Sequence, residues 1–330
     1  MINPRLFDHY QIDTTKDLAI RNRCPRPFDT VLIDRQGSCY ACECTSWLPQ
    51  SIGNLQTRTL AEIIGSVTHQ ELQASITDGT YRYCNEHQCP YIRAAAVLHD
   101  DPQHIRHLRL AIDNSCNLRC PSCRNGMIFH KEGSAYNLGI RLADRINDWL
   151  HTHAHPVQVH IGSDGDPFAS NIYRHFMTQT PDKENIDYSI LTNGLMFEEH
   201  QHVLARVIGS LRVLGVSIDG ATKDTYEKLR LGGRWDKINS NLKSMARSKE
   251  QHNFLFRFHM VVQEDNWHEM KDMVRLAESY GVDDEIYFSK IQDWNTDLDY
   301  SKQTFADLQE FKDLSAEVAS ISKRYVVAGF

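Results

Sequence analysis

The sequence predicts an α/β protein: a partial (β/α)6, TIM-like barrel over residues 101–330, preceded by a small cysteine-rich α+β module over residues 1–100. Two observations carry the barrel. From Leu108 onward, strand-like stretches alternate with amphipathic helical ones, and strands separated by helices run parallel through right-handed crossovers. Six such strands are too few to close an eight-fold barrel. A third observation sets the module apart: six of the nine cysteines fall within it, in a stretch that lacks this alternation.

In chain order, Thr30 to Asp34 reads as a strand that turns through Arg35-Gln36-Gly37 toward the cysteines, as a short hairpin does. Leu60 to Ser66 and Gln70 to Ile76 read as helices, and Ala94 to Gln103 as the junction. Leu108, Leu110 and Ile112 alternate as the first barrel strand. Leu138, Leu142, Ile146 and Trp149 then share one helical face. Val157, Val159 and Ile161 mark the second strand, Tyr188 to Leu191 the third and Val213 to Ile218 the fourth. Phe256 to Val262 is the fifth and Ile286 to Phe288 a short sixth. Trp267, Met270, Met273, Val274 and Ala277 form a helical face before that last strand. Phe305, Leu308 and Phe311 open a final helix.

Composition narrows the function classes. Apolar residues make up 41% of the 330, enough for a packed core. The net charge is -7 and the basic residues are dispersed, which disfavours nucleic acid as a partner. No apolar run reaches membrane-spanning length, and Met1 to Asp17 lacks the layout of a secretory signal, so a cytoplasmic location is expected. Thiols stay reduced there, so the clustering of Cys24, Cys39, Cys42, Cys44, Cys84 and Cys89, and of Cys116, Cys120 and Cys123, points to metal or cluster ligation rather than disulfides.

Cys116-Asn-Leu-Arg-Cys120-Pro-Ser-Cys123 is a C-x3-C-x2-C pattern directly after the first barrel strand. Three thiolates suit a four-iron, four-sulfur cluster and leave one iron without a protein ligand; a zinc site needs a fourth nearby ligand. The pattern resembles the radical S-adenosylmethionine superfamily. The resemblance implies that the open iron binds the amino and carboxylate groups of S-adenosylmethionine, whose cleavage yields a 5′-deoxyadenosyl radical. Ser122 departs from the aromatic residue usual beside the last cysteine.

Further segments resemble the same family. Asp164-Gly165-Asp166-Pro167, after the second strand, is similar to the family's Gly-Gly-Glu-Pro turn, which implies that Asp166 meets the methionine ammonium. Thr192-Asn193-Gly194 ends the third strand, where polar residues of the family face the ribose. Ser217-Ile218-Asp219-Gly220 ends the fourth, followed by Arg230; the resemblance implies ribose contact for Ser217 and the methionine carboxylate for Arg230. Val261, Val262, Gln263 and Asn266 resemble the adenine edge, with Val262 the cofactor-contact candidate. Each motif also has an ordinary reading as a turn, a solvated helix charge or core. All sit at strand C-termini, where parallel α/β folds place their sites.

Arg23 to Ile92 resembles the twitch or SPASM auxiliary-cluster module of radical enzymes, placed here before the barrel rather than after it. Six cysteines fit one four-cysteine cluster, with Cys24, Cys42, Cys84 and Cys89 as ligands; Cys44 and then Cys39 compete with Cys42, and a zinc knuckle is the alternative. A spare thiol, Cys39 or Cys44, is a candidate hydrogen-atom donor, although a buried inert thiol is the plainer reading.

The reaction expected from the resemblance is hydrogen abstraction from a small metabolite or peptide, giving oxidation or epimerisation, with flavodoxin or ferredoxin as electron donor. The absence of a winged-helix leader-binding segment ahead of the module weighs slightly against a peptide. Modification of a nucleobase or nucleotide is the rival within the class; a non-enzymatic zinc or iron–sulfur protein is the rival outside it. His107, His160, His259 and Tyr287 are further residues that could reach the barrel cavity, although a packed or solvated residue is the plainer reading of each.

Overall fold

The computed structural model describes residues 24–85, 89, 92, 104–282, 285–321 and 325–328. The expected junction at residues 94–103 and the segment 1–17 lie outside them. The fold is mixed α/β with an unclosed parallel sheet, and it divides into two compact units. The first comprises residues 1–113, 132–164 and 179–187, and the second residues 114–131, 165–178 and 188–330.

In the first unit, helix α1 (Arg26–Asp29) leads into strand β1 (Thr30–Ile33), all four of whose residues are buried. The chain then reverses into β2 (Ser38–Tyr40), antiparallel to β1. Asp34 makes this turn: its carboxylate accepts the backbone N–H groups of Gln36 and Ser38. Gly37 takes φ +77, a conformation that glycine adopts without strain. Strand β3 (Ser51–Asn54) pairs antiparallel with β2. Helix α2 (Leu60–Ile64) starts on a reciprocal cap, in which the Thr59 hydroxyl accepts from the Glu62 N–H and Glu62 accepts from the Thr59 N–H. Helix α3 (Val67–Thr77) follows, capped by Ser66.

Strand β4 (His107–Leu110) is the expected first barrel strand, and β1 lies parallel beside it in register Leu32↔Arg109. Helix α4 (Gly133–Thr152) precedes β5 (Val157–Ile161), which pairs parallel with β4. The buried face of α4 carries Leu142, Ala143, Ile146 and Leu150. It is therefore turned slightly from the expected one: Trp149 is only half-buried and stacks on His153 at 4.1 Å.

The second unit carries the remaining sheet. Helix α5 (Asn171–Gln179) buries Ile172, Tyr173, Phe176 and Met177. Strands β6 (Ile186–Thr192), β7 (Leu211–Ser217), β8 (Leu255–Val262), β9 (Glu285–Lys290) and β10 (Tyr325–Ala328) run parallel in that order; residues 186–187 of β6 fall to the first unit. Between them lie α6 (Phe197–His200), α7 (Lys223–Leu229), α8 (Trp235–His252), α9 (Met270–Ser279) and α10 (Gln309–Ile321). Strand β10 has no counterpart among the sequence expectations. The final helix begins at Gln309, not at Phe305, because Phe305–Asp307 forms a 3₁₀ turn and Leu308 is extended at its end. Phe305 and Phe311 meet edge-on at 5.0 Å across that break.

Candidate active site

The second unit brings together Cys116, Cys120, Cys123, Asp166, Thr192, Asn193, Asp219 and Arg230. The cysteine loop is folded on itself: Cys116 N–H donates to the Ile128 carbonyl at 2.7 Å, and Cys123 N–H donates to the Cys120 carbonyl at 2.9 Å. Cys116 and Cys120 are buried, whereas Cys123 is exposed. The Tyr300 hydroxyl donates to the Ser122 carbonyl at 3.3 Å, bringing an aromatic side chain to the residue where the sequence lacks one.

Three side-chain donors point at the thiols. Asn193 Nδ2 lies 3.6 Å from Cys116 Sγ, Arg124 Nη2 3.6 Å from Cys123 Sγ, and Arg230 Nη1 3.9 Å from Cys120 Sγ. Burial first, and then the charge of Asp166, pushes the Cys116 thiol up to about 11. Burial also raises Cys120, with Arg230 pulling the other way.

Asp166 is fully engaged by the protein. Its Oδ1 accepts the N–H groups of Phe168 and Ala169 at 3.1 and 3.0 Å. Its Oδ2 accepts the Thr192 hydroxyl and the Asn193 N–H, both at 2.7 Å. Those four bonds occupy the lone-pair positions of a carboxylate. Burial drives its pKa upward and the four donors pull it back, burial prevailing. Asp166 thereby ties the turn after β5 to the end of β6, and the Asn193 amide continues the chain of contacts to Asn117 at 2.9 Å.

Arg230 ends α7, where its Nε pairs with Asp219 Oδ2 at 2.8 Å in near-complete burial. Burial works against the guanidinium's charge, but Asp219 more than offsets it, so its pKa rises. Asp219 Oδ1 accepts the Val261 N–H at 2.9 Å. Asn266, fully buried, donates to the Asp219 and Val261 carbonyls. The close approach of α7 to this strand end requires Gly220, where a Cβ would stand 2.4 Å from the Tyr226 nitrogen. Ser217 ends β7 opposite His259 and is half-buried, whereas Val262 is fully buried in β8. Sequence reasoning missed Asp219 as a partner of Arg230; a carboxylate between a strand end and a glycine, with an arginine one helix later, was the available signal.

In the first unit, Cys24, Cys42, Cys84 and Cys89 are mutual electrostatic neighbours. Burial is the main cause that raises each of the first three, Cys24 to about 11 and Cys42 to about 12, with Cys84 also well above an ordinary thiol, and other thiols of the set add to it. Cys39 stands apart: it is fully buried, its thiol faces the Gly37 carbonyl at 3.7 Å, and burial and Asp34 push it up to about 12. Cys44 turns its backbone N–H toward the Cys42 sulfur and is itself part-exposed. Among the described residues no three His, Cys, Asp or Glu side chains converge as a ready-made site for a single metal ion.

The radical SAM superfamily model matches residues 111–277, half of the chain, and the SPASM iron–sulfur cluster-binding domain matches residues 24–90. The chain therefore belongs to the radical SAM superfamily, with the SPASM domain ahead of the radical SAM domain. A probable GTP 3′,8-cyclase of Methanococcus maripaludis strain C5 is 27% identical over 143 residues, 42% of this chain and 44% of that protein. The GTP 3′,8-cyclase of Limosilactobacillus fermentum is 23% identical over 212 residues, 63% and 60% of the two chains. The chain thus spans about half the length of the curated relatives it matches. Among solved structures, Streptococcus suis SuiB bound to S-adenosylmethionine covers 79% of this chain and 52% of its own at 13% identity and a TM-score of 0.46.

The radical SAM domain implies a four-iron, four-sulfur cluster and S-adenosylmethionine, and the SPASM domain implies an auxiliary iron–sulfur cluster. The donor sets fit these groups. Buried thiols with raised pKa values ionise only against a strong local positive charge, which a metal core supplies by direct bonding. The fully buried Tyr226 hydroxyl lacks a partner among the described residues; Arg230 and Cys120 are among its charged neighbours, which leaves a donor ready for a group held there.

Proposed function

We propose that this radical SAM enzyme abstracts a hydrogen atom from a small metabolite or a peptide, with net oxidation or epimerisation as the outcome. We assign the radical chemistry to residues 101–330 and a single-cluster, twitch-like electron-transfer module to residues 1–100. The observation that carries the reading is the folded loop of Cys116, Cys120 and Cys123, with donors from the loop itself and from two other segments aimed at its sulfurs. Cys116, Cys120 and Cys123 would hold the four-iron, four-sulfur cluster, which when bound would supply the electron for reductive cleavage of S-adenosylmethionine.

The chain's own residues bind and orient the cofactor. Arg230, locked by Asp219, presents its remaining planar donors to the methionine carboxylate. Asp166, whose oxygens are already taken, acts for the ammonium end by fixing the turn and holding Thr192 and Asn193 in place toward the ribose. Ser217 adds a hydroxyl at the end of β7, and Val262 forms the apolar floor beside the adenine edge. Cys24, Cys42, Cys84 and Cys89 hold the auxiliary cluster with a closed set of four thiolates, fed by an electron donor such as flavodoxin or ferredoxin. Of the two spare thiols, Cys44 has the exposure a hydrogen-atom donor needs, whereas Cys39 is packed away. No helix among the described residues is long and apolar enough to cross a membrane.

The test is label transfer. The reduced, anaerobic protein is incubated with S-adenosylmethionine and deuterated candidates: sugar-like alcohols, amino acids, short peptides and nucleotides. Label in 5′-deoxyadenosine identifies the substrate. Absence of any 5′-deoxyadenosine from the cluster-loaded, reduced protein overturns the reading.

A further inference from the structure

The second unit carries a histidine that none of the roles above uses. Strands β7, β8 and β9 pair in parallel, with Ser217, His259 and Tyr287 in one row and Gly215, Arg257 and Glu285 in the row before it. One face of these strands is closed. Val216, Phe258, Met260 and Phe288 are fully buried there, and Val216 lines the space beside Gly194 together with Ile238 and Met245 of α8. Side chains alternate along a strand, so the row of His259 lies on the opposite face. That face is the more open one, since Ser217, His259, Val261 and Tyr287 are all half-buried. The His259 carbonyl accepts the Ile218 N–H at 2.8 Å, which fixes this residue beside the strand end that carries Ser217 and Asp219.

The backbone of β7 leaves room for the imidazole. A Cβ at Gly215 would stand 3.1 Å from His259 Nε2 and 3.0 Å from Leu191 Cδ1, so the ring leans across β7 at the one position without a side chain. The Tyr287 ring lies 5.5 Å away between centroids. Neither nitrogen of His259 is hydrogen-bonded among the described residues. A histidine that serves the fold is held differently: the two nitrogens of His69 lie 2.7 Å from the Ile64 carbonyl and 2.6 Å from that of Pro27. Half-burial strips part of the hydration of His259 without replacing it, a cost that a bound polar group would cancel.

Charge on this face is already balanced. Arg257 pairs with Glu285 at 2.7 Å, and Arg230 pairs with Asp219 at 2.8 Å. Burial first, and then Arg257 and Arg230, hold His259 down to about 4, so it stands as a neutral imidazole with one donor and one acceptor. A carboxylate, phosphate or ammonium placed against it would lack a counter-charge, whereas a hydroxyl or an amide would not need one.

We infer that His259 binds an uncharged polar group of the substrate, a hydroxyl or an amide, on the open face of β7, β8 and β9. This rests on the radical reading above and narrows its substrate to one that is uncharged at this contact.

Label transfer on the anaerobically reconstituted, reduced full chain tests it with four perdeuterated probes, each supplied with S-adenosylmethionine. Erythritol carries uncharged hydroxyls, N-acetylalaninamide carries uncharged amides, succinate is an anion and 1,4-diaminobutane a cation. Deuterium in 5′-deoxyadenosine is expected from erythritol or from N-acetylalaninamide, and the arm that responds separates a polyol-like metabolite from a peptide. His259→Phe should reduce that label roughly ten-fold, because the substrate group is left unpaired. His259→Gln, which restores a neutral donor and acceptor, should recover part of it and guards against a folding defect in His259→Phe. Gly215→Ala, which crowds Nε2, should reduce it several-fold. Label from the charged probes alone, or from none of the four, overturns the inference. So does equal label in wild type and His259→Phe, or no recovery in His259→Gln. Total 5′-deoxyadenosine is counted beside the label: its absence from wild type defeats the radical reading and this inference with it, and its presence without label defeats this inference alone.

Discussion

On the assignment proposed above, the loop at Cys116–Cys123 and the set of Cys24, Cys42, Cys84 and Cys89 would use the same ligand atom in opposite ways. The loop places three thiols within eight residues of one segment, one of them exposed, and side-chain donors from elsewhere in its unit reach their sulfurs. The N-terminal set draws four thiols from three separated stretches, and Cys24, Cys42 and Cys84 are raised by burial first and further by other thiols of the set. An open shell with a reachable edge suits chemistry on a bound molecule. A closed and buried shell suits electron transfer, which needs no vacant coordination position. Ligand count and exposure, rather than ligand identity, would then separate the two roles.

The largest effect should come from removing one region entirely. With Cys116, Cys120 and Cys123 all changed to Ala, 5′-deoxyadenosine formation should vanish. The protein should retain about four irons and four sulfides, half the load of the wild type. Undiminished cleavage would break the comparison, and retention of zinc alone would replace the auxiliary cluster with a structural metal. Next in size is the choice among neighbouring thiols. Cys42→Ala should cost the auxiliary cluster its iron, while Cys44→Ala and Cys39→Ala should leave iron and sulfide content as in wild type. Loss of iron in Cys44→Ala or Cys39→Ala, with Cys42→Ala unaffected, would move that ligand to the neighbouring thiol.

How far the sequence foretold these regions depends on the range of the interactions involved. The six barrel strands were legible because each carries its own alternation, as in Val157, Val159 and Ile161. The cysteine loop was legible because its spacing is local. Pairing between distant residues was not. Nothing near Asp166 announces that its carboxylate is consumed by Thr192 and Asn193, and the order of Asp219, Gly220 and an arginine one helix later hints at the Arg230 pair without fixing it. The separation of Cys42 from Cys39 and Cys44 likewise depends on which way a short turn faces after β2. Strand β10 is short and follows a helix whose start is interrupted at Leu308, so its pattern does not stand out.

A moderate effect should distinguish bracing from binding within the catalytic region. Arg230→Ala removes a donor for the methionine carboxylate and also leaves Asp219 buried without its cation. The first loss should weaken S-adenosylmethionine binding by roughly ten-fold. The second should cost about 3–5 kcal/mol of stability. The double change Arg230→Ala with Asp219→Ala should recover much of the stability and none of the affinity, as measured by denaturant titration and anaerobic calorimetry. Recovery of affinity in the double variant would make Arg230 a purely structural residue. Asp166→Ala should also weaken binding about ten-fold, because Thr192 and Asn193 lose the acceptor that positions them.

The smallest predicted effect bears most directly on the difference between the two clusters. Asn193 Nδ2 lies 3.6 Å from Cys116 Sγ, and a donor facing a thiolate ligand favours the reduced, more negative state of the cluster that it holds. Removing it in Asn193→Ala should therefore lower the potential of the catalytic cluster. A hydrogen bond with a net worth of about 0.5–1.5 kcal/mol corresponds to roughly 20–60 mV for a one-electron couple. The auxiliary cluster, in the other unit, should keep its potential, because Asn193 has no part in its thiol set. A redox titration followed by electron paramagnetic resonance resolves the two signals, and the triple cysteine variant assigns which is which. A shift confined to the auxiliary signal would reverse the assignment of the two sites. Equal shifts in both would show that Asn193 acts through the fold rather than through its amide, and the distinction between a tuned open site and a closed conduit would then need another basis.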